Sequence, residues 1–97
     1  MSEEQTQKPK GSGELTMDFS AFILSLNASS LIHLGEIPDP QSRQRSVNIP
    51  AAKHTIEILE IIKEKTAGNL DEDEDKLLQD ILYNLRLKYV QHSGVGK

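Results

Sequence analysis

Residues 19–35 read FSAFILSLNASSLIHLG, 17 consecutive residues without one Asp, Glu, Lys or Arg. In a chain where 27% of residues are charged, such a run must be sheltered on nearly every side, or lie against another chain or a lipid surface. Its length is at the lower edge of what crosses a bilayer. Ser20, Ser25, Asn27, Ser29, Ser30 and His33 are too many polar groups for hydrocarbon to surround. The run therefore reads as a helix of a soluble fold. Asp18 is a good N-cap and Gly35 a good C-terminal stop, which sets the helix at Phe19 to about Leu34.

At 100° per residue this helix carries two apolar stripes. Phe19, Phe22, Ile23, Leu26 and Leu34 form the heavier one; Ala21, Leu24, Ala28, Leu31 and Ile32 form a lighter one on roughly the opposite side. An ordinary surface helix has one apolar stripe and a charged face. This one has no charged face, so it is expected to be central.

Outward from that run the chain is conventional. Residues 36–47 hold Ile37-Pro38-Asp39-Pro40, then Arg43 and Arg45. The prolines forbid helix and bias their predecessors to extended backbone. Twelve residues is a long connection for a helical bundle. A second helix is predicted from Asn48 as cap, with Pro50 in its first turn, to about Thr66. Ala51, Ala52, Thr55, Ile58, Leu59 and Ile62 share its inner face, and Lys53, Glu57, Glu60 and Glu64 its outer one. Gly68 closes it. Asp71, with Glu74 three residues on, opens a third helix to about Gln91. So short a link makes the last two helices an antiparallel hairpin. In the third, Leu78, Ile81, Leu82, Leu85 and Tyr89 form the core stripe, while Tyr83, Leu87 and Val90 are left over on the far side.

The fold class is thus all-α: a three-helix module of one apolar helix and an antiparallel hairpin. Residues 1–16 are polar and acidic and are expected to be a disordered tail, 17–91 one domain, and 92–97 a frayed end. A domain this small is marginal alone. With no Cys and no metal-ligand cluster in the sequence, oligomerisation is the remaining common remedy. The net charge of -4 argues against a general nucleic-acid binder. Lack of Cys fits the cytoplasm, and the acidic residues Glu3, Glu4, Glu14 and Asp18 before the apolar run are not those of a signal peptide.

Candidate chemistry is sparse. The run Asp71-Glu72-Asp73-Glu74-Asp75 lacks the spaced ligands and turn glycine of a calcium loop, and acidic first turns are what a helix dipole favours. His33 and His54 flank the long connection, and His54 and Glu57 stand i, i+3, a spacing found in carboxylate-bridged metal sites. Such sites need several inward Glu residues, which the first helix does not supply, so a hydrogen-bonded core role is expected of His33. Arg43 and Arg45 suit a phosphate or carboxylate clamp, though two loop arginines are ordinarily solvated. No phosphate loop or serine-nucleophile setting is present in the sequence. No catalytic, cofactor or metal residue is nominated, and enzyme activity is not expected.

Several strings taken together resemble a known family. They are Phe19 through Leu26, Ser29-Ser30, His33-Leu34-Gly35, Ile37 through Pro40, Asn48, Lys63 through Thr66, Gly68-Asn69-Leu70, Leu82-Tyr83, Leu85-Arg86 and Tyr89-Val90. The chain resembles, from about Met17 to Gln91, the bacterial family called domain of unknown function 1844. The resemblance implies a short all-helical bacterial protein and supplies no activity, ligand or catalytic residue.

The expected function is a homo-oligomeric helical interaction or scaffold module, a dimer in its simplest form. Its interface is expected at Ala21, Leu24, Ala28, Leu31, Ile32, Tyr83, Leu87 and Val90. The alternatives are a metal- or small-ligand-binding protein using His33, His54 and Glu57, and a peripheral membrane or complex-docking protein acting through the first helix.

Overall fold

The computed structural model describes residues 17–94, which form three helices and, among the described residues, no strand. Helix α1 spans Phe19–His33, α2 Ile49–Lys65 and α3 Glu72–Ser93. The expectation of a disordered tail over 1–16, and the part of the fraying expected over 92–97 that falls on 95–97, concern residues outside that range.

Each start is fixed by a side-chain cap. The Ala21 N–H donates to Asp18 Oδ1 at 2.8 Å and the Ala51 N–H to Asn48 Oδ1 at 3.1 Å. At α3 the box is reciprocal: the Glu74 N–H donates to Asp71 Oδ1 at 2.8 Å and the Asp71 N–H to Glu74 Oε1 at 3.0 Å. Helix α1 ends in a Schellman turn, with the Gly35 N–H on Ile32 O and the Glu36 N–H on Leu31 O. Gly35 supplies the φ of +79° that this turn requires.

All three helices touch one another. Lys53 and Glu57, early in α2, share a groove with Tyr89 and Val90, late in α3, and Glu60 pairs with Arg86 between them. The hairpin is therefore antiparallel. The core is Ile23, Leu34, Ala52, Ile56, Leu59, Leu78, Ile81, Leu82 and Leu85, ringed by Phe19, Leu26, Leu31, Ile49, Ile62, Leu70, Leu77 and Tyr89. The expected inner face of α2 is rotated slightly: Ile56 is buried, and Ile58 only half-buried. Helix α3 also runs two residues beyond Gln91, through Ser93, because Gly94 caps it in the left-handed conformation and His92 has a partner in Glu36.

The long connection has more order than its composition suggests. The Asp39 N–H donates to Gln44 O, the Arg43 N–H to Asp39 O, and the Gln41 N–H to Asp39 Oδ1. These bonds close a surface turn tight enough to hold Arg43 at φ +62°, in left-handed backbone that non-glycine residues seldom enter. The loop then returns to its origin, where the Asn48 N–H donates to His33 O at 2.7 Å.

Candidate interaction surface

Helix α1 is made almost wholly of apolar and small polar residues, yet Ile23 and Ser30 are its only buried members. Phe22 remains 42% exposed and Leu24 47%. Ser25 and Ala28 are also exposed, and Ala21 and Ile32 are half-buried. Leu31, half-buried too, is largely absorbed by the protein's own core. The lighter stripe of α1 is thus open at Leu24 and Ala28 and half-covered at Ala21, Leu31 and Ile32.

On α3, Tyr83 is 72% exposed, Leu87 48% and Val90 42%. At i, i+4 and i+7 they form one stripe pointing away from the core. Val90 also lines a groove of about 350 Å³ between α2 and α3, with Ile56 and Tyr89 as its apolar walls. Lys53, Glu57, Glu60 and Arg86 complete the lining, the last two joined by an ion pair of 3.0 Å. Tyr83, Leu87 and Val90 all stand where a partner could reach them.

The other nominated groups are scattered. His33 is half-buried outside the core, in a hollow of about 340 Å³ with Ser29, Ile32, Asp39, Pro40 and Gln41. The core role expected of it is not what the fold provides, because α1 turns the Ile23–Ser30–Leu34 side inward instead. His54 and Glu57 are exposed on α2, as are Arg43 and Arg45 on the loop. Among the described residues, no group of three or more His, Cys, Asp and Glu side chains converges as metal ligands would.

Sequence reasoning missed a polar cluster at the end of α1. Glu36 follows the Schellman turn, and its Oε1 lies 3.4 Å from Lys88 Nζ and its Oε2 2.5 Å from His92 Nε2. Lys88 and His92 are i, i+4 on α3, so one carboxylate spans both and ties the end of α1 to the last turns of α3. Separations of 52 and 56 residues leave no local signal for this contact. The hydrogen bond with His92, aided by the hydrogen bond and charge of Lys88, outweighs partial burial and holds the Glu36 carboxyl below its usual range. A depressed carboxyl pKa contributes stability above the unfolded-state value, which is lost as pH falls through the folded one. Glu36→Gln should therefore lower the Tm at neutral pH, and the wild-type and variant Tm values should converge as pH falls below about 4. A gap that persists unchanged in acid would show that the carboxylate charge is not what matters.

The matched family model is described as "Domain of unknown function (DUF1844)" and covers residues 16–91. The chain belongs to this family. The DUF1844 match takes in α1, α2 and all of α3 but its last two residues, so both open apolar surfaces lie inside it. Comparisons with curated proteins and with solved structures return no match. Among the described residues, no helix is long and apolar enough to cross a membrane.

Proposed function

We propose that this DUF1844 protein is a homo-oligomeric helical interaction module, a dimer in its simplest form, with no catalytic role of its own. The observation that carries the reading is the exposure of α1: among the described helices it alone has no Asp, Glu, Lys or Arg, yet it hides Ile23 and Ser30 and leaves Phe22 and Leu24 to solvent. Large apolar surface left open on a small domain marks an interaction site. Covering it would also add the burial that a domain of this size needs. The cysteine-free composition supports a reducing compartment such as the cytoplasm.

Light scattering over a dilution series tests this. The expected mass at micromolar concentration is a multiple of 10.8 kDa, falling toward the monomer on dilution. Leu24→Glu should shift that transition. Leu24 is 47% exposed, so the single chain tolerates the charge, while an interface would bury it twice without a partner. A penalty of about 3 kcal/mol weakens association roughly a hundredfold. Circular dichroism should report unchanged helicity. A wild-type chain that is folded and monomeric at micromolar concentration would overturn the proposal.

A further inference from the structure

We infer that α1 is a hinged arm, which opens from the α2–α3 hairpin about the turn at Leu34–Glu36 while the hairpin stays folded. The inference does not depend on self-association. It starts from how little holds α1 down. Between Phe19 and Ser29 only Ile23 is buried. Ile23 and the cap residue Leu34 are the share of α1 in the core, with Phe19, Leu26 and Leu31 packed at its rim. Every other core residue belongs to the hairpin.

The middle of the α1 seam is polar and unsatisfied. Among the described residues two polar side chains are buried, Ser30 and Thr55. On α2, Thr55 Oγ1 donates to Ala51 O at 3.1 Å, so its burial is compensated. On α1, Ser30 Oγ has no hydrogen-bond partner, and neither has the buried Asn27 Oδ1 one turn earlier. A buried polar atom without a partner bears the whole loss of its hydration. Opening α1 returns both atoms to water, a gain that separating α2 from α3 does not offer. The open helix also holds its own hydrogen bonds poorly. Ser20, Ser25, Asn27, Ser29 and Ser30 are weaker helix formers than Ala or Leu, and 15 such residues are marginal as a free helix. Ser25 Oγ already turns back on Phe22 O at 2.7 Å, in competition with the helical ladder.

Attachments concentrate at one end, and that places the pivot. Leu34 is fully buried, and the Asn48 N–H donates to His33 O at 2.7 Å. Glu36 reaches both Lys88 and His92. At the other end, the Asp18 cap binds only the Ala21 and Phe22 amides of α1 itself. The free end of the arm is therefore its N-terminal half. Elements that move are drawn from the least stable part of a fold, and opening this one bares apolar surface of the hairpin that the closed chain hides.

Hydrogen exchange read by mass spectrometry tests this on the full chain, at neutral pH and sub-micromolar concentration. It is run on the wild type and on Leu24→Glu, so that association cannot conceal the opening. Protection over 23–28 should be about a hundredfold lower than around Leu59 and Leu82, tenfold for each orphaned atom. The Leu34 and Glu36 amides should fall between. Urea should accelerate exchange over 23–28 less steeply than around Leu59, because a local opening exposes less surface than global unfolding. Ser30→Ala should raise protection over 23–28 about tenfold. Equal protection and equal urea dependence in all three helices, in both chains, would make the fold one cooperative unit and overturn the arm. Lower α1 protection in Ser30→Ala would mean that the hydroxyl holds the helix closed, and would overturn the cause assigned to the opening. A monomeric wild-type mass would remove the self-association reading and leave the hinge standing.

Discussion

Replacing Leu59 with alanine should destabilise the protein by about 2–5 kcal/mol, the range for deleting a buried leucine side chain. Leu59 is 0% exposed, and the core cluster it belongs to has members from every segment: Ile23 and Leu34 from α1 and its cap, Ile56 beside it, and Leu78, Ile81, Leu82 and Leu85 from α3. Three helices in mutual contact leave no spare layer to collapse into the space. The loss is large against the whole. At 0.05–0.15 kcal/mol per residue, a folded unit of this size holds roughly 4–12 kcal/mol. Ile61→Ala, two positions along the same helix but 55% exposed, should change stability by less than about 0.5 kcal/mol. Urea denaturation of both variants at one fixed protein concentration decides this, since association would otherwise move the midpoint. Comparable losses at the two positions would mean that another chain buries Ile61 as deeply as the core buries Leu59.

The elements were legible because their ends are written in local chemistry. Asp18, Asn48 and Asp71 cap the three helices as their side chains predict, and Gly35 stops the first. The core stripe of α3 was equally plain, since Leu78, Ile81, Leu82 and Leu85 recur at i, i+3, i+4 and i+7. Helix α1 was harder, because hydrophobicity does not say which way an uncharged helix turns. Its buried seam is Ile23, Ser30 and Leu34, with Asn27 Oδ1 also enclosed, so two of its four members are polar. Ser30 is 0% exposed while Phe22, far more apolar, sits at the rim. Ser30 stands on the same side of the helix as Ile23 and Leu34, seven residues on from the first and four before the second, so the turn that buries those two buries it as well. In α2, Ile56 and Ile58 are two residues apart and only docking against α3 chooses between them. The Glu36–Lys88–His92 cluster is wholly tertiary, assembled by the angle at which the Schellman turn releases the chain.

That turn sets the second large expectation. Gly35→Ala should cost clearly more than Gly68→Ala, although the two glycines have nearly the same backbone, φ +79° and +82°. An L-residue in that left-handed region costs about 1–2 kcal/mol at either site. At Gly68 nothing lies within 4 Å of an added Cβ, so the cost stops there. At Gly35 the Cβ would sit 2.8 Å from Val47 Cγ2 and 3.4 Å from Ser46 O. Val47 is β-branched and stiff, and turning it off its rotamer adds about 0.5–1.5 kcal/mol. The strand of loop it belongs to is pinned next door by the Asn48 N–H on His33 O, so backbone retreat would break the bond that brings the loop home. Displacing the turn would also carry Glu36 away from Lys88 and His92, loosening the end of α1 from α3. Thermal unfolding of the two alanine variants, with hydrogen exchange at the Leu34 and Glu36 amides, separates these contributions. The greater loss should appear at Gly35, with faster exchange at both amides. Equal losses would mean that Val47 yields freely, and that the loop's closure over Gly35 does not constrain the fold.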